Sequence, residues 1–438
     1  MAGDKAGAEA TAKTGFDVEQ EFEAATQARI EEGDIEKARS LDGVFTANRK
    51  EDIVTRLTPD AIRNFAWGVG DDNPLFCDPA YGARTRWGRQ IAPNSMAEVV
   101  TKGLRGDSLP DHLKVAQRGL FKGIHAFVSG SEKVWYRPLY VEDELYKFGG
   151  FDGVEVKPSE FAGRSVTRFL KVIKMNQRSE PVFVQRTREI FTERSTAKKT
   201  GKYASIEPAV YSAEDMERID AVYAAEHRRG AEPRYFEDVN IGDDLSPMVK
   251  GPLTVTDILV YHVGGYGVAT FGLSSARRAY ENRKRIPAFY VRNGQGVPDV
   301  AQRVHWDSEW AKAIGSPMAY DYSVIREGWL HHYLTDWVGD DGFVHRQYDE
   351  MRKFNYIGDT QFIAGQVVGK REENGRHFVD LMVKMTNQRG DVTTTCEATV
   401  LLPTKAHGPV LLPEPPAELA RQCVSFQRRH GELLAARG

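Results

Sequence analysis

KMNQR at Lys174–Arg178 returns as KMTNQR at Lys384–Arg389, and in both places the flanking runs alternate between apolar and polar residues. FLKVIK from Phe169 and PVFVQRTREI from Pro181 surround the first; FVDLMVKM from Phe378 and VTTTCEATVLL from Val392 surround the second. Alternation at a period of two marks antiparallel strands with one buried face, and a short polar run between two of them is a hairpin. Working outward, LTPDAIRNFAWGVG from Leu57 is matched by LTVTDILVYHVGGYG from Leu253, each a helix start followed by apolar residues at helical spacing. YVEDEL at Tyr140 and YIGDTQF at Tyr356 each set an acidic turn before a predicted strand. The anchors occur in one order in both halves, so the chain reads as two copies of one unit. Their offset grows from about 196 to about 211 residues, which places extra residues at Ala269–Pro298 of the second copy.

Between the opening helix and the strands of each copy a central helix is expected. In the second, Ile325, Trp329, Tyr333, Leu334 and Trp337 fall near helical spacing over Ser323–Trp337, with Gly339 as the stop. In the first, Met96, Val99, Val100 and Leu104 make a shorter stripe. Helices followed by runs of strands give an α+β fold rather than alternating βαβ units. The expected organisation is an N-terminal arm and lead-in helix over 1–50, a first domain over 51–197, and a linker over 198–234 with one helix opened by a capping box at Ser212–Asp215. A second domain over 235–405 and a tail helix in 406–438 complete it. The lead-in helix is read from the spacing of Phe16, Val18, Phe22, Ala25 and Ile30.

The formal charge of −3 over 438 residues, with the signs interspersed, disfavours nucleic acid or an anionic membrane as partner and leaves a small molecule. No apolar run reaches the roughly 18 to 20 residues of a membrane span, and the first residues lack a secretory apolar core, so a cytoplasmic location is expected. Cys77, Cys396 and Cys423 have neither metal-ligand nor disulfide spacing. The adjacent pair His331–His332 lies within the predicted central helix rather than at i, i+4, which favours packing over ligation. No cofactor and no metal are expected.

The chemistry is carried by GDDNPLFCDPAYGARTRWGRQIAP, Gly70–Pro93. It resembles the MaoC-like family of R-specific enoyl-thioester hydratases and dehydratases, whose members carry G-D-x-N-P-[IL]-H-x-D before the central helix of a hotdog fold. Gly70, Asp71, Asn73, Pro74, Leu75 and Asp78 match, while Phe76 stands where the family has its catalytic histidine. The resemblance therefore implies a tandem, or double, hotdog whose first site is silent. Asp78–Pro79 also fits an N-cap followed by Pro at the first helical position. In the second copy Asp299-Val-Ala-Gln-Arg-Val-His305-Trp-Asp307, followed by EWAKAIGSP, is similar to the family's H-x-D-x-x-x-A-x-x-x-G stretch, with His305 at the catalytic position. Asp299 lies six residues before His305 where the family spacing is five, and the Asn and Pro of the motif are absent.

An Asp/His pair suits hydration of a 2-enoyl thioester. A water must be oriented at Cβ, lose a proton to a base, and a proton must reach Cα; imidazole exchanges protons near neutrality and an ionised carboxylate holds the water. His305 and Asp299 are thus the expected catalytic pair, with Asp257 and Asp321 the next acids should Asp299 not serve. Phe76, Asp71, Tyr320 and Asp321 are expected to line the substrate site, and Asp307 to cap the helix after His305. The implied partner is an acyl-CoA or acyl-carrier-protein thioester, with a homodimer left open. A hotdog thioesterase and a non-catalytic acyl-binding subunit are the alternatives.

Overall fold

The repeated hairpin closes the same way twice. Asn176 Oδ1 accepts from the N–H groups of Arg178 (3.0 Å) and Glu180 (3.1 Å), and Asn387 Oδ1 from those of Arg389 and Asp391 (both 3.0 Å). An Asn side chain that binds nearby backbone N–H groups in this way stabilises a tight turn. The neighbouring glutamine ties the turn to the acidic anchor. Gln177 donates to Asp143 Oδ1 (3.1 Å) and accepts from Glu144 N (3.1 Å); Gln388 donates to Asp359 Oδ1 (2.8 Å) and accepts from Thr360 N (3.0 Å). The second oxygen of each aspartate accepts from the N–H of Tyr140 or Tyr356, both at 3.0 Å. Its backbone carbonyl accepts from Leu57 N (2.9 Å) or Leu253 N (2.8 Å). The sequence anchors meet at one corner of each copy, so they depend on one another.

The computed structural model describes residues 29–121, 124–159, 163–192, 206–264 and 273–436; much of the expected lead-in helix, from Phe16 to Ala28, lies outside the described residues. Ten strands form the main sheet: β1 Phe45–Ala47, β2 His125–Trp135, β3 Leu145–Ser159, β4 Gly163–Asn176, β5 Pro181–Thr192, β6 Met248–Lys250, β7 Phe343–Met351, β8 Gln361–Glu373, β9 Arg376–Asn387 and β10 Val392–Leu401. Their order is β1-β3-β4-β5-β2-β7-β10-β9-β8-β6, so the second half mirrors the first. The halves join through β2 and β7, antiparallel from Arg346↔Val134 to Glu350↔Gly130. Because β1 pairs with β3, the first unit begins before residue 51.

The helices that matter here are α1 Glu32–Ser40, α2 Pro59–Gly68, α3 Ala213–Ala224, α4 Val255–Val263, α5 Ser308–Ala313, α6 Ser323–Val338 and α7 Ala417–Ala435. Helices α2 and α4 are repeat equivalents and start alike, capped by Thr58 and Thr254. They cross where Gly68 meets Gly264: a Cβ on either would stand 3.2 Å from the other's Cα, so side chains here would push the helices apart. Helix α6 is enclosed, with every residue from Ile325 to Val338 except Thr335 buried. Several of its buried polar groups are paired: Arg326 with Asp321 at 3.0 Å, Glu327 with Lys133, and His331 Nδ1 with Gln347 Oε1 at 3.2 Å. The expected capping box on α3 is present.

The first copy lacks the expected central helix. Instead of a helix over Met96–Leu104, the chain makes one 3-10 turn, Asn94–Glu98, and then runs extended, bridging Val54 at Val100 and Tyr146 at Lys102. Val99, Val100 and Thr101 are β-branched and Gly103 and Gly106 follow, a run with low helix propensity. Gly103 also passes so close to Arg49 that a Cβ would lie 2.9 Å from its carbonyl oxygen. Lys174, buried, donates to the carbonyls of Glu98 (3.0 Å) and Val100 (2.8 Å) and to Thr101 Oγ1 (3.0 Å), serving backbone groups that no helix serves.

On the opposite side of the same strands lies α7, whose partner the sequence did not identify. Phe426 stacks on Phe148 with centroids 4.1 Å apart, and Leu419 and Cys423 bury against Ile173 and Met175. His430 Nδ1 accepts from Arg105 N at 2.8 Å. The tail of the second copy is thus part of the first copy's core.

Candidate active site

His305 ends a short 3-10 turn, Ala301–His305, that leads into α5. Its Nδ1 lies 2.8 Å from the Tyr320 carbonyl oxygen. A carbonyl only accepts, so Nδ1 carries the ring proton and Nε2 keeps its lone pair. The ring stacks on Tyr322 (centroids 3.7 Å apart) and meets Tyr320 edge-on at 5.0 Å. Burial pushes its pKa down to about 4, against the pull of the Tyr320 and Asp321 carbonyls. The imidazole is therefore a neutral acceptor throughout the physiological range.

Tyr320, Asp321 and Tyr322 all belong to the segment that opens α6, so His305 stands beside the helix N-terminus. No side chain caps that end. Asp321, with its carboxylate buried, accepts from Asn355 Nδ2 (2.8 Å) and pairs with Arg326; burial pushes it up to about 6 despite the Arg326 guanidinium. Its carboxylate is employed in holding the α6 start. Asp257 caps α4 by accepting from Thr254 N at 2.7 Å. Asp307 caps α5, accepting from Glu309 N and Trp310 N, both at 3.0 Å.

Asp299 sits on a hairpin of the insertion, Pro298–Val300 against Tyr290–Arg292. Its carboxylate accepts from Val300 N at 2.7 Å, and among the described residues no hydrogen bond joins it to His305. Arg303, at the place of the family's Pro, fastens this hairpin by donating to the carbonyls of Val291 (3.0 Å), Arg292 (3.2 Å) and Asp299 (3.3 Å).

A residue missed in the sequence is His262, on α4. Its ring is edge-on to Trp306 and to Tyr322, 5.7 and 5.3 Å away, and both ring nitrogens are buried without a hydrogen-bond partner. The signal was available: aligned on Leu57 and Leu253, His262 replaces buried Ala66, a polar residue where the other copy is apolar.

Asp71 and Phe76 are held away from His305, beside the C-terminal half of α6. Tyr322 and His332 are ten positions apart, about 15 Å along the axis. Phe76 is 3% exposed and borders a small cavity shared with Asn73, Trp87, Asn94, His331 and Val344. Asp71 accepts from Asn73 N at 2.9 Å and faces His332 and Asp336. Burial pushes His332 down to about 4 and Asp336 up to about 7. Asp78 caps the next turn through Ala80 N, 2.8 Å. Burial pushes the Cys77 thiol up to about 11, which disfavours its thiolate.

Residues 45–185 match the family model described as FAS1-like, dehydratase domain region. A solved structure named MaoC-like dehydratase is 16% identical, with 83% of this chain and 99% of that one covered and a TM-score of 0.54. The fold is a MaoC-like double hotdog. A MaoC domain protein from Chloroflexus aurantiacus J-10-fl is 10% identical, covering 83% of this chain and 96% of its own, with a TM-score of 0.51. Rv0216 from Mycobacterium tuberculosis, named as a double hotdog fold, is 11% identical over 83% and 97% of the two chains, with a TM-score of 0.49. None of the curated proteins matches the chain by sequence.

Within the double hotdog, the substitution of Phe76 for histidine has a testable result. Phe76→His places an imidazole beside the small cavity shared with Asn73, Asn94 and His331, with no N-terminal end of a full central helix next to it. Turnover per chain is expected to stay at or below the parent value; a doubling would show that the first copy needs only this side chain.

Proposed function

We propose that this chain is an acyl-thioester hydratase/dehydratase, adding water to or removing it from a 2-enoyl/3-hydroxyacyl thioester, with CoA as the carrier. The observation that carries the reading is the state of His305: at the family's catalytic position, buried and neutral, with Nδ1 occupied by the Tyr320 carbonyl and Nε2 left as a base. In the hydration direction Nε2 takes a proton from a water, the oxygen bonds to Cβ, and the electron pair of the C=C bond moves to Cα and the thioester oxygen. The imidazolium then returns a proton to Cα, so the ring ends as it began. The uncapped start of α6 offers backbone N–H groups and the positive end of a dipole for the enolate oxygen. Asp299 is assigned to orient the water, which requires its carboxylate to exchange the Val300 N–H for that water.

The location implied by this reading is intracellular, where the thioester carriers are; among the described residues no helix is long and apolar enough to cross a membrane. Incubation with crotonyl-CoA, following enoyl absorbance and free thiol separately, tests the reaction class. Loss of enoyl absorbance without thiol release is expected. Thiol release would establish a thioesterase instead, and no change in either signal would leave an acyl-binding subunit.

The pH profile is a second test. Protonation of His305 removes the base, so kcat/KM is expected to fall about tenfold per pH unit below about 4 and to be flat from about pH 5 to 8. A midpoint near the ordinary value of about 6.5 would place the essential histidine in a hydrated environment and contradict the buried one described here.

A further inference from the structure

Away from His305, poorly satisfied buried groups collect where the Asp71 loop meets α6. His332 Nε2 stands 3.3 Å from Asp336 Oδ2, 3.7 Å from Asp71 Oδ1 and 3.8 Å from Glu226 Oε1. Asp71, His332 and Asp336 are 1%, 3% and 4% exposed, which rules out a hydrated surface cluster. Among the described residues none of these approaches is a hydrogen bond, which would close to about 2.7–3.2 Å. Asp336 Oδ1 and Glu226 Oε2 are buried and have no hydrogen-bond partner at all. Buried carboxylate oxygens are costly in that state and call for a ligand.

The spacing indicates what kind. Ligands bound at about 2.0–2.2 Å in a tetrahedron stand about 3.3–3.6 Å apart, and the separations around Nε2 run from that range to slightly beyond it, 3.3–3.8 Å. The candidate ligand atoms of Asp71, His332 and Asp336 lie within 4.8 Å of one another. Three carboxylates face one lysine, Lys250, whose Nζ is 2.9 Å from His332 Nδ1. His332 turns Nδ1 to Lys250 and Nε2 to the carboxylates, so Nε2 is the nitrogen placed to ligate and the lysine contact fixes the orientation of the ring. One imidazole nitrogen with carboxylate oxygens favours a first-row ion such as Zn2+ or Mn2+ over Mg2+ or Ca2+.

We propose that Asp71, His332 and Asp336, with Glu226, bind one divalent first-row transition ion that fastens the first copy's loop and the segment after α3 onto α6. The site lies apart from His305, so the ion is a structural clamp. It gives Asp71 a use in a copy whose motif has lost its histidine.

The test uses the full chain, stripped with EDTA and dialysed, then titrated with Zn2+, Mn2+ or Mg2+ while bound metal and Tm are measured. One Zn2+ or Mn2+ per chain is expected, with Tm raised by about 2 °C or more and Mg2+ inert at the same concentration. Asp336→Asn and Glu226→Gln should each weaken binding at least about tenfold and remove the Tm shift. Glu226 is more exposed and tolerates replacement if the Asp336 variant does not fold. Absence of stoichiometric metal in the parent, an equal effect of Mg2+, or unchanged binding in the folded variants would each overturn the proposal.

Discussion

His305→Ala is expected to lower kcat by about two to four orders of magnitude, the contribution of a general acid/base, with a much smaller change in substrate affinity. The ring sits against Tyr322 and donates to the Tyr320 carbonyl, and no other described imidazole takes over that position. His262 is separated from it by Tyr322, with ring centroids 5.3 Å from that tyrosine, and presents no fixed tautomer. The variant loses one hydrogen bond and a stacking contact in a buried place, so circular dichroism and a melting curve must accompany the kinetics. Asp299→Asn belongs in the same experiment. A severe loss supports its assignment to the water; a mild one returns the question to another acid, yet Asp257 is committed to the α4 cap and Asp321 to Arg326. Near-normal turnover of His305→Ala in an active, folded parent would end the proposed mechanism.

The largest stability effect is expected at the seam between the copies. Lys133, from β2, is 1% exposed and its ammonium contacts Glu327 of α6 and Glu98 at 2.7 Å. Ser131 Oγ donates to Glu327 Oε1 at 3.0 Å. Burial alone would lower the lysine, but the Glu327, Glu98 and Asp349 carboxylates hold it above its ordinary value. Lys133→Met removes the cation bonded to Glu327, leaving buried carboxylates without compensation, and should cost about 3–5 kcal/mol in urea unfolding. Adding Glu327→Met should recover part of that loss, because two apolar side chains avoid the desolvation that one unpaired charge must bear. A single-variant loss below about 1 kcal/mol would mean that the network ionises differently, with a proton in place of the ammonium.

Much of this arrangement is readable from the residues because it is local. The hairpin turn needs only Asn176 or Asn387 and the three or four residues after it, and the capping boxes at Thr254 and Ser212 close within three residues. Apolar periodicity identifies α6, and Gly339, at φ +72°, ends it. By itself, the sequence determined the duplication, the α+β character, the hairpins and the segment that carries His305, since each depends on contacts within a few positions or on comparing one copy with the other.

Tertiary structure decided what depends on neighbours distant in the chain. The stripe Met96–Leu104 has helical spacing yet is extended, because β-branched residues, the close passage of Gly103 by Arg49 and the buried Lys174 ammonium outweigh a weak local preference. Asp71 and Phe76 share the motif of the His305 loop but face the other half of α6, since the two copies are mirrored along the sheet rather than superposed on one site. The tail helix finds its partner in Phe148, some 280 residues before Phe426. The cluster around His332 joins residues from four separate segments. Desolvation and packing act through space, and one chain without its partners' positions carries no measure of either.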